Sequence, residues 1–568
     1  MEGPKAPKDP VAKKSSFYIM RQKQIAGGAQ SDGRGIQFIF LNDVRLTTFA
    51  RMVGNVTDEN MIEMLRTAEG FRKLVAGIGV TVEAEERDQT IDFVFQMYGK
   101  KDPNHSGTLI RVPVRPDGME NILWLDDFQW SEDDNTPGQI RFEFDRAEKL
   151  AVVDVRLYLR DGYHVPEPEE YFRVDTGSAE YKKMIMSSLV QTGNNYRLKK
   201  AIDRARRGED VTVAFIGGSI TQGAGAIPIH TECYAYKTYR EFCRYTGRKE
   251  DTEGGSIRFI KAGVGGTPSE LGLVRFERDV LREGSVKPDI VVVEFAVNDE
   301  GDETKGECYE SLVRRILALP GKPAVILFFL VFANDWNLQE RLAPVGRAYE
   351  LPMVSMRDAV VEQFRLKHGE GRVLSKSQYF YDCYHPTNTG HSIMTDCLMN
   401  LIREADKQDM DEETDWEQVA PVYGKAFERI QLLDRHTNVQ KAVIESGSFC
   451  GTDDRLQAVE MDRSFAPTGE FPHNWMHEHG TEPFRMKIVC SSLVLVHKDS
   501  GEIDFGKARV IVDGQEVLTA DPHENGWVHC NPRILFRELP CEEHLVEIVM
   551  APGDEDRKFT ILGFGFVE

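Results

Sequence analysis

A serine follows a short apolar run and two glycines in the segment FIGGSIT, residues 215–221. A serine at the carboxyl end of a parallel strand stands where open α/β sheets place their ligand chemistry. Flanking glycines let backbone N–H groups approach a reacting carbonyl. The segment has neither a GxGxxG pattern nor a Walker lysine, which disfavours dinucleotide and phosphate binding. Ser219 is therefore a candidate nucleophile. Taken alone, however, a glycine-rich turn of this kind is also typical of a purely structural role.

Three more polar segments follow later apolar runs: GVGGT at 263–267, FAVND at 295–299 and DCYHP at 382–386. Because the carboxyl ends of parallel strands meet at one edge of a sheet, all of them can face one cleft. Asp382 and His385 can emerge from one loop, where the carboxylate would hold the imidazole in the tautomer that accepts the Ser219 proton. This pattern predicts a serine hydrolase triad.

The same segments offer donors for a developing oxyanion. The backbone N–H groups of Ser219 and Gly266, with the side-chain amide of Asn298, could form an oxyanion hole. Gly265 could take the place of Gly266, because two adjacent glycines leave the register open. We interpret Asp299 as a hydrogen-bond partner that fixes its loop.

The elements that must position these residues form an alternating pattern. Apolar runs alternate with helix-like segments, as expected of a parallel sheet with helices on both faces. The predicted strands are Val211–Ile216, Ile257–Ile260, Ile290–Phe295, Ala324–Phe332 and Pro352–Ser355. The predicted helices include Arg197–Arg207, Glu270–Leu281, Tyr309–Leu319 and Leu338–Tyr349.

Residues 190–405 resemble the SGNH (GDSL-like) hydrolase family, whose four blocks bear a Ser, a Gly, an Asn and an Asp-x-x-His in that order. This chain departs from the usual pattern at Gly218, where the family has Asp, and at Ala296, where it has Gly. The resemblance implies a flavodoxin-like α/β fold and a ping-pong acyl transfer that needs no metal or cofactor. It assigns Ser219, Asp382 and His385 to the triad.

The flanks of this segment have a different character. Residues 1–185 and 440–568 show short alternating strands separated by turns, which predicts two β-sandwich-like domains. We therefore expect an N-terminal β-rich domain (1–185), a hydrolase domain (186–410), a linker (411–439) and a C-terminal β-sandwich (440–568). This layout resembles bacterial carbohydrate O-acetylesterases, and implies acetylated xylo- or manno-oligosaccharides of plant origin as substrates.

Two tryptophans are candidate substrate-binding residues. Trp336 follows the fourth predicted strand, and Trp527 could stack on a sugar ring, because aromatic faces suit the apolar faces of pyranoses. Core packing explains either residue equally well. The segment HNWMHEH at 473–479 looks like a zinc cluster, but we favour a surface loop without metal.

The composition of the chain indicates which binding partners and which location to expect. The formal net charge of −22 argues against nucleic acid and against an anionic membrane surface. The N-terminus has no apolar signal region, and nine scattered cysteines indicate reduced thiols in a cytoplasmic protein. Exposed sandwich edges could pair subunits in a homo-oligomer. Two alternatives stay open: a lysophospholipase or thioesterase of the same family, and a non-catalytic carbohydrate-binding protein.

Overall fold

The computed structural model describes residues 14–30, 32–86, 90–167, 171–367, 369–464 and 467–568. The first 13 residues of the predicted N-terminal domain lie outside the described residues. The chain forms two compact units: residues 1–176 with 367–390, and residues 177–366 with 391–568. These limits differ from the predicted domains, because the segment with Asp382 and His385 belongs to the N-terminal unit.

The first unit contains two antiparallel sheets around one hydrophobic core. Their strands are β1 (Ser16–Ala26), β2 (Gly28–Ala29), β3 (Gly35–Phe40), β4 (Val75–Glu83), β5 (Ile91–Gly99), β6 (Leu109–Val114), β7 (Asn121–Trp124), β8 (Asp134–Phe144) and β9 (Leu150–Leu159). The sheet orders are β1-β9-β4-β7 and β2-β3-β8-β5-β6. Side chains from both sheets, such as Phe17 and Phe93, share the core, as expected for the predicted sandwich.

Helices interrupt this unit at Arg45–Met52, Glu59–Met64, Ala68–Leu74 and Lys376–Tyr379. The sequence Met61–Val75 has helical periodicity, and in the structure it spans the end of one helix, the whole of the next and the first residue of β4. The break occurs because the Thr67 side chain accepts a hydrogen bond from the Gly70 N–H at 3.0 Å and so starts a new helix.

The second unit is built around a six-stranded sheet. Its strands are β10 (Leu189–Gln191), β11 (Val211–Gly217), β12 (Ile257–Gly263), β13 (Ile290–Glu294), β14 (Ala324–Phe329) and β15 (Met353–Ser355). The order β12-β11-β13-β14-β15 is parallel throughout, and β10 joins the edge antiparallel to β15. Counted from β11 this is the flavodoxin-like order 2-1-3-4-5, whose switch point lies between β11 and β13. All five predicted strands are present.

Helices connect the strands of this sheet. They span Ala179–Ser187, Tyr196–Arg207, Ser219–Gln222, Ile229–Glu232, Tyr234–Thr246, Ser269–Asp279, Glu307–Leu317, Gln339–Ala348, Met356–Arg365 and Asn388–Lys407, the last of which begins in the first unit. No helix in the described part of the chain combines the length and apolar character that crossing a bilayer requires.

The C-terminal part of the second unit forms two five-stranded antiparallel sheets. The strands are β16 (Gln431–Leu433), β17 (Ala442–Glu445), β18 (Ala458–Val459), β19 (Thr468–Gly469), β20 (Trp475–His477), β21 (Phe484–Cys490), β22 (Ser492–Asp499), β23 (Ala508–Val512), β24 (Gln515–Ala520), β25 (His529–Phe536), β26 (Glu542–Met550) and β27 (Phe559–Val567). The sheet orders are β16-β27-β22-β25, with β20 on β27, and β17-β21-β26-β23-β24; β18 and β19 form a separate pair.

Two local expectations for this region are wrong. The alternating run Phe484–Val496 predicts a single strand, whereas the structure has two, β21 and β22, in different sheets. The expected surface loop at 473–479 contains the buried strand β20, because both ring nitrogens of His477 face backbone carbonyls, those of Arg557 and Gly480.

The C-terminal sheets and the parallel sheet share a hydrophobic core. Val494, Val496 and Leu562 belong to the same buried cluster as Val291 and Phe276. A Cβ at Gly565 would lie 2.7 Å from Val274 on the helix Ser269–Asp279, so glycine permits close contact. The expected linker 411–439 also supplies Phe427, Ile430 and Leu432 to this core. Because these residues are buried in the core, this segment is not a free linker between two domains.

Candidate active site

Ser219 begins a one-turn helix directly after β11 and is half-buried. The turn needs its glycines for space. A Cβ at Gly218 would lie 2.2 Å from Oδ1 of Asn298, and a Cβ at Gly217 would lie 2.3 Å from Oγ1 of Thr221. The backbone of the turn therefore lies directly against the side chain that was predicted to complete the oxyanion hole.

The loop after β12 lies beside this turn because the strands are in register. Gly217 pairs with Gly263 on β12 and with Glu294 on β13, so all three strand ends meet. A Cβ at Gly265 would lie 3.5 Å from Cβ of Ser219. Gly266 is exposed and has φ of +73°, a conformation that glycine adopts without strain.

Asn298 lies in the turn that follows β13. Its N–H and that of Asp299 donate to the carbonyl of Phe295 at 2.9 and 3.0 Å. Asp299 is fully buried and accepts hydrogen bonds from the backbone N–H and the hydroxyl of Ser269 at 2.8 and 2.9 Å. These bonds agree with its interpretation as a loop-fixing residue. The structure thus brings Ser219, Gly265, Gly266 and Asn298 to one edge of the sheet.

A buried carboxyl group lies beneath the Ser219 turn. Oε2 of Glu294 accepts from the Gly218 N–H at 3.3 Å and from the Thr221 hydroxyl at 2.9 Å. Burial raises the pKa of Glu294 to about 8, against the opposing effect of these hydrogen bonds. The residue therefore holds a proton at neutral pH and fixes the turn as a neutral group.

We expect Glu294→Gln to preserve the fold and to remove part of the pH dependence of stability. In the wild type, folded Glu294 keeps its proton up to about pH 8, whereas the unfolded chain releases it near 4.5. The stabilisation is therefore complete below pH 4.5 and is lost as pH rises through about 8. Urea unfolding at pH 5 and pH 8 measures this, with Glu417→Gln, at an exposed position, as control. An unchanged pH dependence in Glu294→Gln would contradict the assignment.

Asp382 and His385 form a hydrogen-bonded pair in the first unit. Oδ2 of Asp382 lies 2.8 Å from Nδ1 of His385, and Oδ1 accepts from the N–H groups of Tyr384 and His385, each at 2.8 Å. Burial would raise the pKa of Asp382, but the charge of His385 and these hydrogen bonds outweigh it and lower the pKa to about 2. The carboxylate stays ionised and holds Nδ1–H, which leaves Nε2 to accept a proton.

The C-terminal sheets supply contacts to the Gly265–Gly266 loop that sequence reasoning missed. Nε2 of Gln457 donates to the Gly265 carbonyl at 2.7 Å, and Nε2 of His529 lies 3.0 Å from the Gly266 carbonyl. Oε1 of Gln222, in the Ser219 helix, accepts from the Gly265 N–H at 3.0 Å. Burial lowers the pKa of His529 to about 4, so the neutral ring donates to that carbonyl.

The two candidate substrate-binding tryptophans differ in their surroundings. Trp527 is 46% exposed, and a Cβ at Gly266 would lie 3.0 Å from its ring. Trp336 is half-buried against the core and stacks on Phe332 with ring centroids 6.0 Å apart. Trp527 thus lies beside the Gly265–Gly266 loop and is partly exposed, whereas Trp336 packs against the core.

A buried acidic group near Asn298 is the one metal-like cluster among the described residues. Ligand atoms of Glu270, Asp302 and Cys308 lie within 4.8 Å of one another. Both carboxylate oxygens of Asp302 already accept hydrogen bonds, from Thr304 and from the Gly306 N–H. Burial raises the pKa of Glu270 well above its ordinary value. The hydrogen bonds of Asp302 and the raised pKa of Glu270 favour an internal hydrogen-bonded cluster over a metal centre.

Comparison with protein families agrees with this geometry. Residues 215–393 match the model of the GDSL-like Lipase/Acylhydrolase family. The matched segment begins in β11, before Ser219, and ends after the Asp382–His385 pair. This segment of the chain is therefore similar to the GDSL-like lipase/acylhydrolase family, as the sequence resemblance implied. Comparison with curated protein sequences gave no significant match.

Solved structures add a carbohydrate-active neighbour. A two-domain esterase active on acetylated mannans is 25% identical, with a TM-score of 0.56 over 68% of this chain and 99% of that chain. Its crystal structure with mannopentaose is 24% identical, with a TM-score of 0.55 over 68% and 98% of the two chains. The first neighbour leaves about a third of this chain unmatched.

Proposed function

We propose that this protein is a serine esterase that removes O-acetyl groups from acetylated carbohydrates. The observation that carries the proposal is the convergence of Ser219, Gly266 and Asn298 at the carboxyl ends of three adjacent parallel strands. The Asp382–His385 pair supplies the matching base. The match of residues 215–393 to the GDSL-like lipase/acylhydrolase family supports an esterase activity, and the likeness to an esterase active on acetylated mannans supports the carbohydrate substrate.

In the proposed mechanism, the Ser219 hydroxyl attacks the acetyl carbonyl and Nε2 of His385 takes its proton. The N–H groups of Ser219 and Gly266 and the amide of Asn298 donate to the oxyanion of the tetrahedral intermediate. His385 then protonates the leaving sugar hydroxyl, which yields an acetyl-enzyme. Water, deprotonated by His385, attacks the acetyl-enzyme, and acetate leaves as Ser219 is restored. Asp382 holds the ring and stabilises its imidazolium form.

The C-terminal sheets support a role in substrate choice. The partly exposed ring of Trp527 lies beside Gly266, where a sugar attached to the reacting ester could stack on it. We propose acetylated manno- or xylo-oligosaccharides as the substrates. The nine cysteines are free thiols, which supports a cytoplasmic location and hence oligosaccharides as imported substrates.

A substrate series tests the function. Purified protein is assayed on 4-nitrophenyl acetate, butyrate and octanoate and on acetylated manno- and xylo-oligosaccharides. We expect acetate release to dominate and the oligosaccharides to give the highest kcat/KM. A preference for octanoate would instead indicate a lysophospholipase or thioesterase. Oligosaccharide binding without hydrolysis of any ester would indicate a carbohydrate-binding protein.

We expect Trp527→Ala to raise KM for acetylated oligosaccharides by roughly threefold to tenfold, because a stacking contact is worth about 1 kcal/mol. The rate on 4-nitrophenyl acetate should stay unchanged, since that ester lacks a sugar. Trp527→Phe, which keeps an aromatic face, is the matched control and should retain most of the affinity. Equal losses on both substrates would mean that Trp527 supports the Gly266 loop rather than the sugar.

A further inference from the structure

Lys23 is a buried cation in the N-terminal unit, at 4% exposure. It stands on β1, and its ammonium group donates to the carbonyls of Ser377 at 2.9 Å and Phe380. It also lies 5.8 Å from the centre of the Tyr381 ring. Both carbonyl groups belong to the segment that leads directly into Asp382, so Lys23 ties the N-terminal sheet to the loop of the acid–base pair.

The backbone of β1 is shaped for this contact. Its pairing with β9 is irregular between Tyr18 and Met20 and again between Met20 and Lys23. Gln22 lies within the second irregularity with φ of +50°, and its N–H donates to Oδ1 of Asp154. A bulge of this kind changes the direction of the following side chain. The strand therefore interrupts its regular alternation immediately before Lys23.

Other residues of the N-terminal unit contact the same loop. Oε1 of Gln24 accepts from Nδ2 of Asn388 at 3.1 Å, and the guanidinium of Arg45 lies 5.6 Å from the centre of the Tyr384 ring. Lys23 differs from these because its charge is buried. A buried ammonium group is costly unless its donors are satisfied, and here they are directed at loop carbonyls.

The lowered pKa of Lys23 and its interaction with Asp382 agree with a role of this lysine inside the domain. Burial lowers the pKa of Lys23 to about 7, and the charge of the Asp382 carboxylate opposes this shift. The Asp382 carboxylate therefore favours the charged form of Lys23 within one unit. A lysine that served only to cover the sheet would leave its charge in water.

We propose that Lys23 is a positioning residue that holds the 376–385 loop so that Asp382 and His385 keep their catalytic geometry. The inference rests on the proposed function of that pair. Under this proposal, the function of the N-terminal β-rich domain is to position the segment that carries Asp382 and His385. Lys23 acts through the loop backbone and touches no reacting atom.

Lys23→Met, which keeps the length of the side chain and removes its charge and donors, tests the proposal. We expect kcat on 4-nitrophenyl acetate to fall by roughly tenfold to a hundredfold, because small displacements of reacting groups have effects of this size. KM should change by less than about twofold, since substrate contacts are unaffected. Lys23→Arg should restore part of kcat. Lys149→Met, at a buried lysine paired with Glu86, is the matched control and should retain full activity.

Hydrogen–deuterium exchange gives a second readout that is independent of activity. In Lys23→Met, exchange should increase across residues 376–388 while the strands of both sheets exchange as in the wild type. Wild-type kcat in Lys23→Met, or faster exchange throughout the N-terminal unit, would overturn the proposal. If the wild type hydrolyses no ester, the proposed function fails, and exchange in the 376–388 segment alone decides whether Lys23 holds the loop.

Discussion

Ser219→Ala is expected to lower kcat on 4-nitrophenyl acetate by on the order of 10⁴-fold or more, because loss of a nucleophile removes the covalent route. KM should change little, since Ser219 lies at the end of β11 and the substrate contacts stay in place. Steady-state kinetics measures the loss, and a fluorophosphonate probe should label the wild type and fail to label the variant.

The matched control is Ser187→Ala, at an exposed helix residue whose hydroxyl donates to the Lys183 carbonyl. It should keep wild-type kinetics and probe labelling. Wild-type activity in Ser219→Ala would refute the nucleophile assignment and, with it, the mechanism proposed above.

Asp382→Asn is expected to lower kcat about 10⁴-fold, a loss similar in size to that of Ser219. The asparagine amide group can donate to Nδ1 of His385, which places the ring proton on Nε2 and prevents it from accepting the serine proton. The pH dependence of stability should change as well. The pKa of Asp382 is about 2 in the folded protein against 3.8 as the ordinary value, so its stabilisation is present above pH 3.8 and lost as pH falls through about 2.

The chain offers a matched control for this variant. Oδ2 of Asp513 lies 2.7 Å from Nδ1 of His544, and Oδ1 accepts from the Leu545 N–H at 2.9 Å, in the C-terminal sheets. Asp513→Asn alters a pair of the same geometry and should leave kcat unchanged. Similar kcat values for Asp382→Asn and the wild type would exclude Asp382 from the catalytic machinery.

The parallel sheet could be predicted because its signals are local. Each strand is a continuous apolar run that ends near a glycine or a polar turn, and β11 to β13 place Ser219, Gly266 and Asn298 at their carboxyl ends. The Asp382–His385 hydrogen bond was equally predictable, because only two residues lie between its partners. The prediction of a single strand over Phe484–Val496 was wrong because the local signal is missing there. The Cys490-Ser491-Ser492 junction contains no glycine or proline that would mark the end of a strand.

The supporting residues could not be predicted because their partners are remote in the chain. Lys23 donates to carbonyls 354 and 357 residues away, and Gln457 to one 192 residues away. Neither residue stands in a motif, and all three acceptors are backbone carbonyls, which every residue has. Contacts between parts of the chain that are remote in sequence, such as those of Lys23, lie within the unit that joins residues 367–390 to the N-terminal residues, so a boundary drawn from composition missed this association.

The buried cluster common to the parallel sheet and the C-terminal strands has a consequence for modularity. Carbohydrate-binding modules can often be exchanged between enzymes because a linker joins two independent cores. Here Val494, Val496 and Leu562 belong to the same buried core as the parallel sheet. Removing residues 440–568 would expose that apolar surface to water and would release the Gly265–Gly266 loop from Gln457 and His529. The smallest transplantable piece of the second unit is therefore the whole unit.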